Sequence, residues 1–192
     1  MARPKEFDRE AVLGEAIKVF SSHGYAGAST EALLSAMGIS RQSLYDTYGD
    51  KRRLYLEALG VYNADSVGRI VGSLDDSLSP LERLEGALVA FASRPSAEAS
   101  RGCMGVMAIC EFGRSDAEVT ALGKAANRTL LPALETVISD AQAEGEADAD
   151  LDPRAAAEFI SATLSGMKVA ARGGASPETL RTIARMAIRS LR

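Results

Sequence analysis

A tight turn between two short helical segments is the feature that most restricts how this chain folds. Ser29 precedes a segment that ends at Met37, and Gly38-Ile39-Ser40 follows at once. Glycine tolerates the left-handed conformation that ends a helix, and serine is favoured immediately before a new one. A further helix is therefore predicted over residues 41–48, and two short helices joined by such a turn form a helix-turn-helix unit.

The rest of the chain also has helical patterning. Tryptophan is absent, and Ala, Leu, Glu and Arg recur at spacings of three and four, without period-two runs of β-branched residues. We expect an all-α protein of about nine helices. They cover residues 8–23, 29–37, 41–48, 51–73, 79–92, 103–112, 116–144, 153–172 and 177–191. The predicted domains are 1–50, which holds the helix-turn-helix, and 51–192, a helical body.

Charge is distributed unevenly along the chain. The net charge is -4 and the pI is about 5.2, which argues against indiscriminate binding to polyanions. Basic residues nevertheless gather in the first quarter, whereas residues 144–152 form an acidic run. The longest apolar runs are too short to cross a bilayer, and the first residues lack the apolar core of a secretory signal. We therefore expect a cytoplasmic protein with a basic end on an acidic body, and no membrane partner.

Few residues suit catalysis or metal binding. The one histidine, His23, ends a predicted helix, where it complements the helix dipole. No nucleophile elbow, glycine-rich phosphate loop or paired metal-ligand motif is found. We expect no catalytic residue, no metal and no cofactor. An all-helical enzyme is the weaker alternative, and a DNA-binding protein without an effector is another, which an apolar cavity in the body would argue against.

The predicted helix after the turn carries side chains that suit DNA. Leu44 and Tyr48 are four residues apart and are expected to face the core with Leu33 and Met37. The outer sides then hold Arg41, Gln42, Ser43, Tyr45, Asp46 and Thr47. Arginine and glutamine form paired hydrogen bonds to guanine and adenine, and hydroxyls, lysine and helix N-termini hold phosphates. A helical hairpin with a solvated polar face is the alternative.

This stretch resembles the helix-turn-helix signature of the TetR family, with its glycine-aliphatic-serine turn, Leu44-Tyr45 and the ending Gly49-Asp50-Lys51. The resemblance extends from Val12 and Phe20 through Gly24-Tyr25 to Leu54, about the first fifth of the chain. It implies DNA contacts at the matching positions Arg41, Gln42, Ser43, Tyr45, Thr47 and Lys51, with Ser29 and Thr30 near the DNA backbone. Ala28, Gln42, Asp46 and Thr47 differ from the residues that are commoner at these positions in the family. We expect these differences to affect which operator sequence is recognised.

The resemblance also implies a function for the whole chain. It predicts a homodimeric regulator, a repressor by default, that binds a palindromic double-stranded operator and is released by a small-molecule effector. The last two helices would supply the dimer interface. Ala157, Ile160 and Leu164 on one, and Leu180, Ala187 and Leu191 on the other, form apolar stripes that suit a partner or the protein's own core equally well.

Candidates for an effector pocket are the large apolar side chains of the body, since methionine and aromatic residues make adaptable walls. They are Tyr62, Phe91, Met104, Met107, Phe112 and Met167. Each of them also suits a plain core position.

Cys103 and Cys110 are candidates for a thiol sensor of oxidants or electrophiles. They are seven residues apart, which on a helix is ~10 Å and too far for a direct disulfide. Arg101, Arg114 and the N-terminus of the predicted helix would lower the thiol pKa of Cys103. The alternative is a buried, unreactive cysteine.

Overall fold

The computed structural model describes residues 7–74, 76–93 and 102–192, and within these ranges the chain forms nine helices and no strand. This confirms the all-α prediction. In chain order the helices are α1 (Arg9–Gly27), α2 (Thr30–Met37), α3 (Arg41–Tyr48), α4 (Lys51–Gly72), α5 (Pro80–Ala92), α6 (Met104–Phe112), α7 (Ala117–Ala143), α8 (Pro153–Arg172) and α9 (Pro177–Arg189).

Side-chain caps fix where the first four helices begin. Asp8, Ser29, Ser40 and Asp50 each accept a hydrogen bond from a backbone N–H in the first turn of the helix that follows. These N–H groups have no partner within the helix, so a short oxygen-bearing side chain stabilises the start. Gly38 ends α2 in the left-handed conformation, with φ 63°. The predicted helix-turn-helix is therefore confirmed.

The first helix differs from the prediction at its end. Gly24 leaves helical geometry, with φ 71° and ψ −176°, but the chain then makes another helical turn that ends at Gly27. The predicted end of the helix at His23 coincides with this break, but the prediction does not include the helical turn that follows it. The additional turn depends on a distant side chain, Glu111, which local sequence patterns do not reveal.

Two apolar cores hold the helices together. The N-terminal core joins α1, α2, α3, the first half of α4, α6 and the start of α7, with Phe20, Leu33 and Leu54 wholly buried. The C-terminal core joins α5, α7, α8, α9 and the second half of α4, which contributes Val67 and Ile70. Complete burial of one such side chain contributes about 1.5–3 kcal/mol to folding. Helices α4 and α7 thus each belong to both cores and link them.

The apolar stripes predicted on the last two helices face the C-terminal core. Ile160 and Leu164 of α8 and Leu180 and Ala187 of α9 are all buried there. Of the two alternatives for these residues, burial in the protein's own core is therefore correct. Within the described part of the chain, no helix combines the length and apolar character needed to cross a membrane.

Candidate nucleic-acid interface and internal cavity

Helix α3 presents a polar outer face because its apolar side chains are used in the core. Leu44 and Tyr48 are buried, as predicted. Arg41, Gln42 and Asp46 are exposed. Tyr45 is 47% exposed, which is unusual for an aromatic side chain on a helix that packs against a core. The outer face of α3 is thus free for an external polar partner.

Weak surface contacts order the side chains of this face. Arg41 Nη2 lies 2.7 Å from Glu31 Oε1 of α2, and Gln42 Nε2 donates to Asp46 Oδ1 at 2.8 Å. The pKa of Glu31 is lowered by a hydrogen bond from its own backbone N–H and by Arg41, so its carboxylate stays charged at neutral pH. Exposed pairs of this kind contribute little to stability and exchange readily for new partners.

Hydroxyl and ammonium groups flank the same helices. Ser29 is exposed at the start of α2, and the half-buried Ser43 side chain lies 2.9 Å from the hydroxyl of Ser40. Lys51 Nζ lies 4.5 Å from the centre of the Tyr25 ring, a cation–π contact that positions its charge. Thr30 is half-buried at the first position of α2. These groups suit contacts to phosphates at the helix N-termini.

Thr47 differs from the other residues predicted to contact DNA. Its Oγ1 is buried and has no hydrogen-bond partner among the described residues. Position 47 lies on α3 between the exposed Asp46 and the buried Tyr48, and the Thr47 side chain is partly buried there. In this conformation the Thr47 hydroxyl is not available to a phosphate.

The break at Gly24 is held from both sides by the body. A helical break leaves backbone N–H and C=O groups without partners inside the helix. Glu111 of α6 accepts hydrogen bonds from the backbone N–H groups of Tyr25 and Ala26, at 3.0 and 3.1 Å. The carboxylate therefore caps the start of the second helical turn, where negative charge is favourable.

An arginine caps the opposite side of the same break. Arg172, at the end of α8, donates to the backbone carbonyls of Ser21 and Ser22, both at 3.1 Å. Its Nη1 also lies 3.2 Å from the sulfur of Met107. Helices α6 and α8 thus both attach to the point at which α1 changes direction. We call Glu111, Arg172 and the break at Gly24 the junction.

Arg52 joins α4 to the start of α7 beside the N-terminal core. Its Nη2 lies 2.7 Å from Asp116 Oδ2 and 2.9 Å from Glu118 Oε2, at the beginning of α7. The pKa of Asp116 is lowered by the N–H of Val119, which it caps, and by Arg52. Arg52 therefore attaches α4 to α7, and its charge is already paired.

The body contains a cavity of about 390 Å³ between α4, α6, α7 and α8. Such a volume is within the usual range for small-molecule sites, ~300–1,000 Å³. Val67 and Ile70 of α4 and Val106 of α6 give it apolar walls. Ile109, at its edge, is 67% exposed, so the cavity opens to solvent there.

Two of the six residues predicted for an effector pocket line a cavity. Tyr62 lines the large one, and Phe91 lines a second cavity of about 280 Å³ between α4, α5 and α8. The structure places the other four elsewhere. Met104 and Met167 are buried in the two cores. These residues were predicted for the pocket from residue type alone, and methionine and aromatic side chains are equally common in an apolar core.

Met107 and Phe112 lie on the side of α6 that faces the N-terminal helices. Met107 contacts Arg172 at the junction. The Phe112 ring packs against the rings of Tyr25 and Tyr55, with centroids 5.6 and 5.7 Å away. Both side chains therefore attach α6 to α1 and α4 and do not line the cavity.

The two cysteines lie in different environments. Cys103 is buried and lines the large cavity together with Arg114, whereas Cys110 is exposed. The helix predicted over residues 103–112 begins one residue later, because Cys103 precedes α6 and has extended backbone geometry. Arg101 lies outside the described residues. Among the described residues, no group of three or more His, Cys, Asp or Glu is placed to hold a metal ion.

Several residues important to the geometry were missed from the sequence. Glu111 and Arg172 act through contacts between distant segments, so no local pattern reveals them. The cavity residues Thr120 and Lys124 carried a usable signal. They are four residues apart on α7, which places them on one helical face, and both line the cavity.

Two family models match the chain. The model described as bacterial regulatory proteins of the tetR family matches residues 12–58. The model described as the tetracyclin repressor-like C-terminal domain matches residues 80–187, which is more than half of the chain.

Curated relatives and solved structures agree with these matches. The HTH-type transcriptional repressor ComR of Escherichia coli (strain K12) is 28% identical over 193 residues, covering 97% of this chain and 90% of that protein. The uncharacterized HTH-type transcriptional regulator YezE of Bacillus subtilis (strain 168) is 58% identical over 62 residues, 32% of each chain. A cysteine mutant of the TetR family transcriptional regulator CifR, complexed with 26 bp double-strand operator DNA, has a TM-score of 0.85 and 32% identity, with complete coverage (100%) of both chains.

Proposed function

Because the chain belongs to the TetR family of bacterial regulatory proteins, we propose that it is a repressor that binds a palindromic operator as a homodimer and leaves it when a small molecule occupies the body. Regulators of this family are DNA-binding transcription factors and not enzymes. The observation that carries the proposal is the exposed polar face of α3, on a capped helix-turn-helix whose Leu33, Leu44 and Tyr48 side chains are buried in the core.

Base recognition is assigned to the exposed residues of α3. Arg41 and Gln42, in its first turn, form paired hydrogen bonds to guanine or adenine in the major groove, and Tyr45 packs against the DNA alongside them. Ser29, Thr30, Ser43 and Lys51 hold phosphates and set the position of α3 on the duplex. Thr47 is left out of this set because its hydroxyl is buried. The solved complex of CifR with double-strand operator DNA supports duplex DNA as the partner.

Dimerisation is assigned to the outer surfaces of α8 and α9. Phe159 is 46% exposed and Val169 55% exposed on α8, and Met186 is 59% exposed on α9. On α8 the exposed small residues Ala162 and Gly166 lie between Phe159 and Val169. Large apolar side chains exposed beside small ones allow two helix pairs to approach closely and bury this surface. Two protomers then form a four-helix interface.

Release of DNA is assigned to movement of α6. This helix lines the cavity with Val106 and Ile109 and carries Glu111 to the junction two residues later. A ligand that binds better to one position of α6 than to another shifts the equilibrium toward that position. Since α1 follows Glu111 and Arg172, the shift changes the spacing of the two α3 helices from the ~34–36 Å that successive half-sites require.

A binding titration against DNA from the protein's own upstream intergenic region tests this function. We expect saturable binding that Arg41→Ala and Tyr45→Ala each weaken by about 1–3 kcal/mol, the range for one base contact. Arg128→Ala is the matched control, since it removes an exposed arginine of α7, away from α3 and from the proposed dimer interface. Absence of specific binding by the unaltered chain, or equal affinity of all three variants, would contradict the proposal.

A further inference from the structure

The large cavity carries positive charge without a matching negative charge. Arg114, Lys124 and Lys168 all line it, and no aspartate or glutamate is found among its described lining residues. None of the three cations forms an ion pair or hydrogen bond with another described residue. Lys168 is half-buried, and a cation that is partly removed from water is stabilised by a nearby anion, so this arrangement favours an anionic ligand.

A buried hydroxyl in the same wall lacks a partner. Thr120 Oγ1 is fully buried and forms no hydrogen bond with any described residue. Buried polar atoms are nearly always hydrogen-bonded, so an unpaired one that lines a cavity indicates a missing acceptor or donor. Lys124 is one turn further along α7 and lines the cavity as well. The Thr120 hydroxyl has no accessible surface in this conformation, so it would donate to a carboxylate at this wall after rotation about χ1, beside the charge of Lys124.

Lys168 places a charge in the interior of the body. Its side chain is half-buried and lines both the large cavity and the neighbouring one of about 280 Å³. The hydroxyl of Ser165, on the same face of α8, donates its hydrogen bond to the backbone carbonyl of Ser161. The lysine therefore supplies the strongest hydrogen-bond donor on this side of the cavity.

Apolar side chains line the cavity from the other helices. Leu59, Val67 and Ile70 of α4 and Val106 of α6 contribute surface that an acyl or aryl group would cover. A ligand that fits has an apolar body and an acidic head, because each part then meets matching groups.

We propose that the cavity binds a small organic carboxylate, whose head is held by Lys168 and Thr120 and whose apolar chain lies against α4 and α6. Arg114 and Lys124 are exposed at the edge and attract the anion toward the opening. The proposal rests on the proposed function in one respect, since it names the chemical class of the effector. It adds that neutral and cationic molecules of the same shape bind much less well.

Calorimetric titration of the full chain with octanoate, octanamide and octylamine tests the charge preference. These probes share one apolar chain and differ in the head group. We expect octanoate to bind at least about tenfold more tightly than octanamide, since a charge-assisted hydrogen bond is lost in the amide. In Lys168→Met the preference should fall to about threefold or less, with the apolar part of the side chain retained. Lys18→Met, which removes an exposed lysine of α1, should keep the full preference.

Cys103 reports whether the probe occupies this cavity. Replacing Cys110 with serine leaves Cys103 as the one thiol of the chain, because the sequence has two cysteines. Octanoate should slow the alkylation of Cys103 by iodoacetamide, and octylamine at the same concentration should not.

The outcomes separate this inference from the proposed function. Three results would overturn the carboxylate proposal. They are equal affinity for octanoate and octanamide, tighter binding of octylamine, and no binding of octanoate at a concentration of about 1 mM, where even weak complexes form. An unchanged preference in Lys168→Met would overturn it as well. Octanoate binding that meets every expectation but leaves the operator complex intact supports the carboxylate site and contradicts release by its occupation.

Discussion

Both carboxylate oxygens of Glu111 lie 3.0 Å from the backbone nitrogen of Tyr25, and this contact joins α6 to α1 across 86 positions of the sequence. Tyr25 begins the helical turn that follows the break at Gly24, where backbone N–H groups have no helical partner. The same α6 lines the cavity with Val106 and Ile109. A single short helix therefore contacts both the ligand space and the point at which α1 changes direction.

Replacing Glu111 with alanine tests the junction. The variant loses the cap on Tyr25 and Ala26, so we expect a loss of unfolding free energy on the order of 1 kcal/mol. Amide hydrogens of residues 25–27 should exchange faster, and a ligand of the cavity should change operator affinity less than in the unaltered chain. Glu144→Ala, at an exposed glutamate after α7, is the control. A full ligand response in Glu111→Ala would show that the signal passes elsewhere.

Two glycine substitutions test how strictly the break at Gly24 requires glycine. Gly38, with φ 63° and ψ 28°, is in the left-handed helical region, where alanine is strained by about 1–2 kcal/mol, whereas Gly24, with φ 71° and ψ −176°, is in a region open essentially to glycine alone. At Gly38 an added Cβ meets nothing within 4 Å, whereas at Gly24 it overlaps the Glu111 carboxylate and lies 3.0 Å from Met107 Cε. We expect Gly24→Ala to be clearly the more destabilising.

Urea denaturation of the two variants measures this difference. The midpoint of Gly24→Ala should fall below that of Gly38→Ala, with similar slopes, because backbone strain at Gly24 adds to the displacement of Glu111 from Tyr25. Equal midpoints would contradict both the greater strain and a stabilising role of the Glu111 hydrogen bonds.

The local parts of this fold could be predicted from the sequence, because the physical cause is local. Ser40 was identified as a cap, since a cap acts on N–H groups within three residues of itself. The exposed face of α3 followed from the burial of Leu44 and Tyr48, four residues apart.

The cavity and the junction could not be predicted in this way. Met104 and Met107 are the same residue type on the same helix, yet one fills the N-terminal core and the other contacts Arg172. Which side of α6 faces the ligand space depends on how α6 packs against α1, α4 and α7. That packing is set by contacts between residues far apart in sequence, and the spacing of residues along α6 does not show which side of the helix makes them.

Gln42 and Lys51 should have different effects on DNA binding. Gln42→Ala should reduce discrimination at one base pair by about 1–3 kcal/mol and leave binding to unrelated DNA unchanged. Lys51→Ala should weaken binding to all sequences and lower the slope of log affinity against log salt by about 1. Competition with single-base operator variants at several salt concentrations measures both. Loss of discrimination in Lys51→Ala, with the salt slope unchanged, would reverse the assigned roles.

Asp116 should make stability depend on pH in a known direction. Its pKa is lowered in the folded protein, first by the N–H of Val119 and then by Arg52. A group with a lowered pKa stabilises the fold fully above its ordinary value of 3.8 and loses that effect as the pH falls through the folded value. Asp116→Asn should therefore be less stable than the unaltered chain at pH 7, and the difference should shrink in acid. Asp65→Asn, at an exposed aspartate of α4, should show no such convergence.

Phe159 should decide whether two protomers associate. Its side chain is 46% exposed on α8, and a glutamate there would place two charges in the proposed interface, close to their symmetry mates. We expect Phe159→Glu to sediment near the monomer mass of 20.2 kDa and to lose most of its operator affinity, because one protomer contacts one half-site. Leu78→Glu is the matched control, since Leu78 is 42% exposed and lies outside α8 and α9. If both variants sediment as dimers, the interface lies on another surface, and the exposed apolar face of α8 has a different partner.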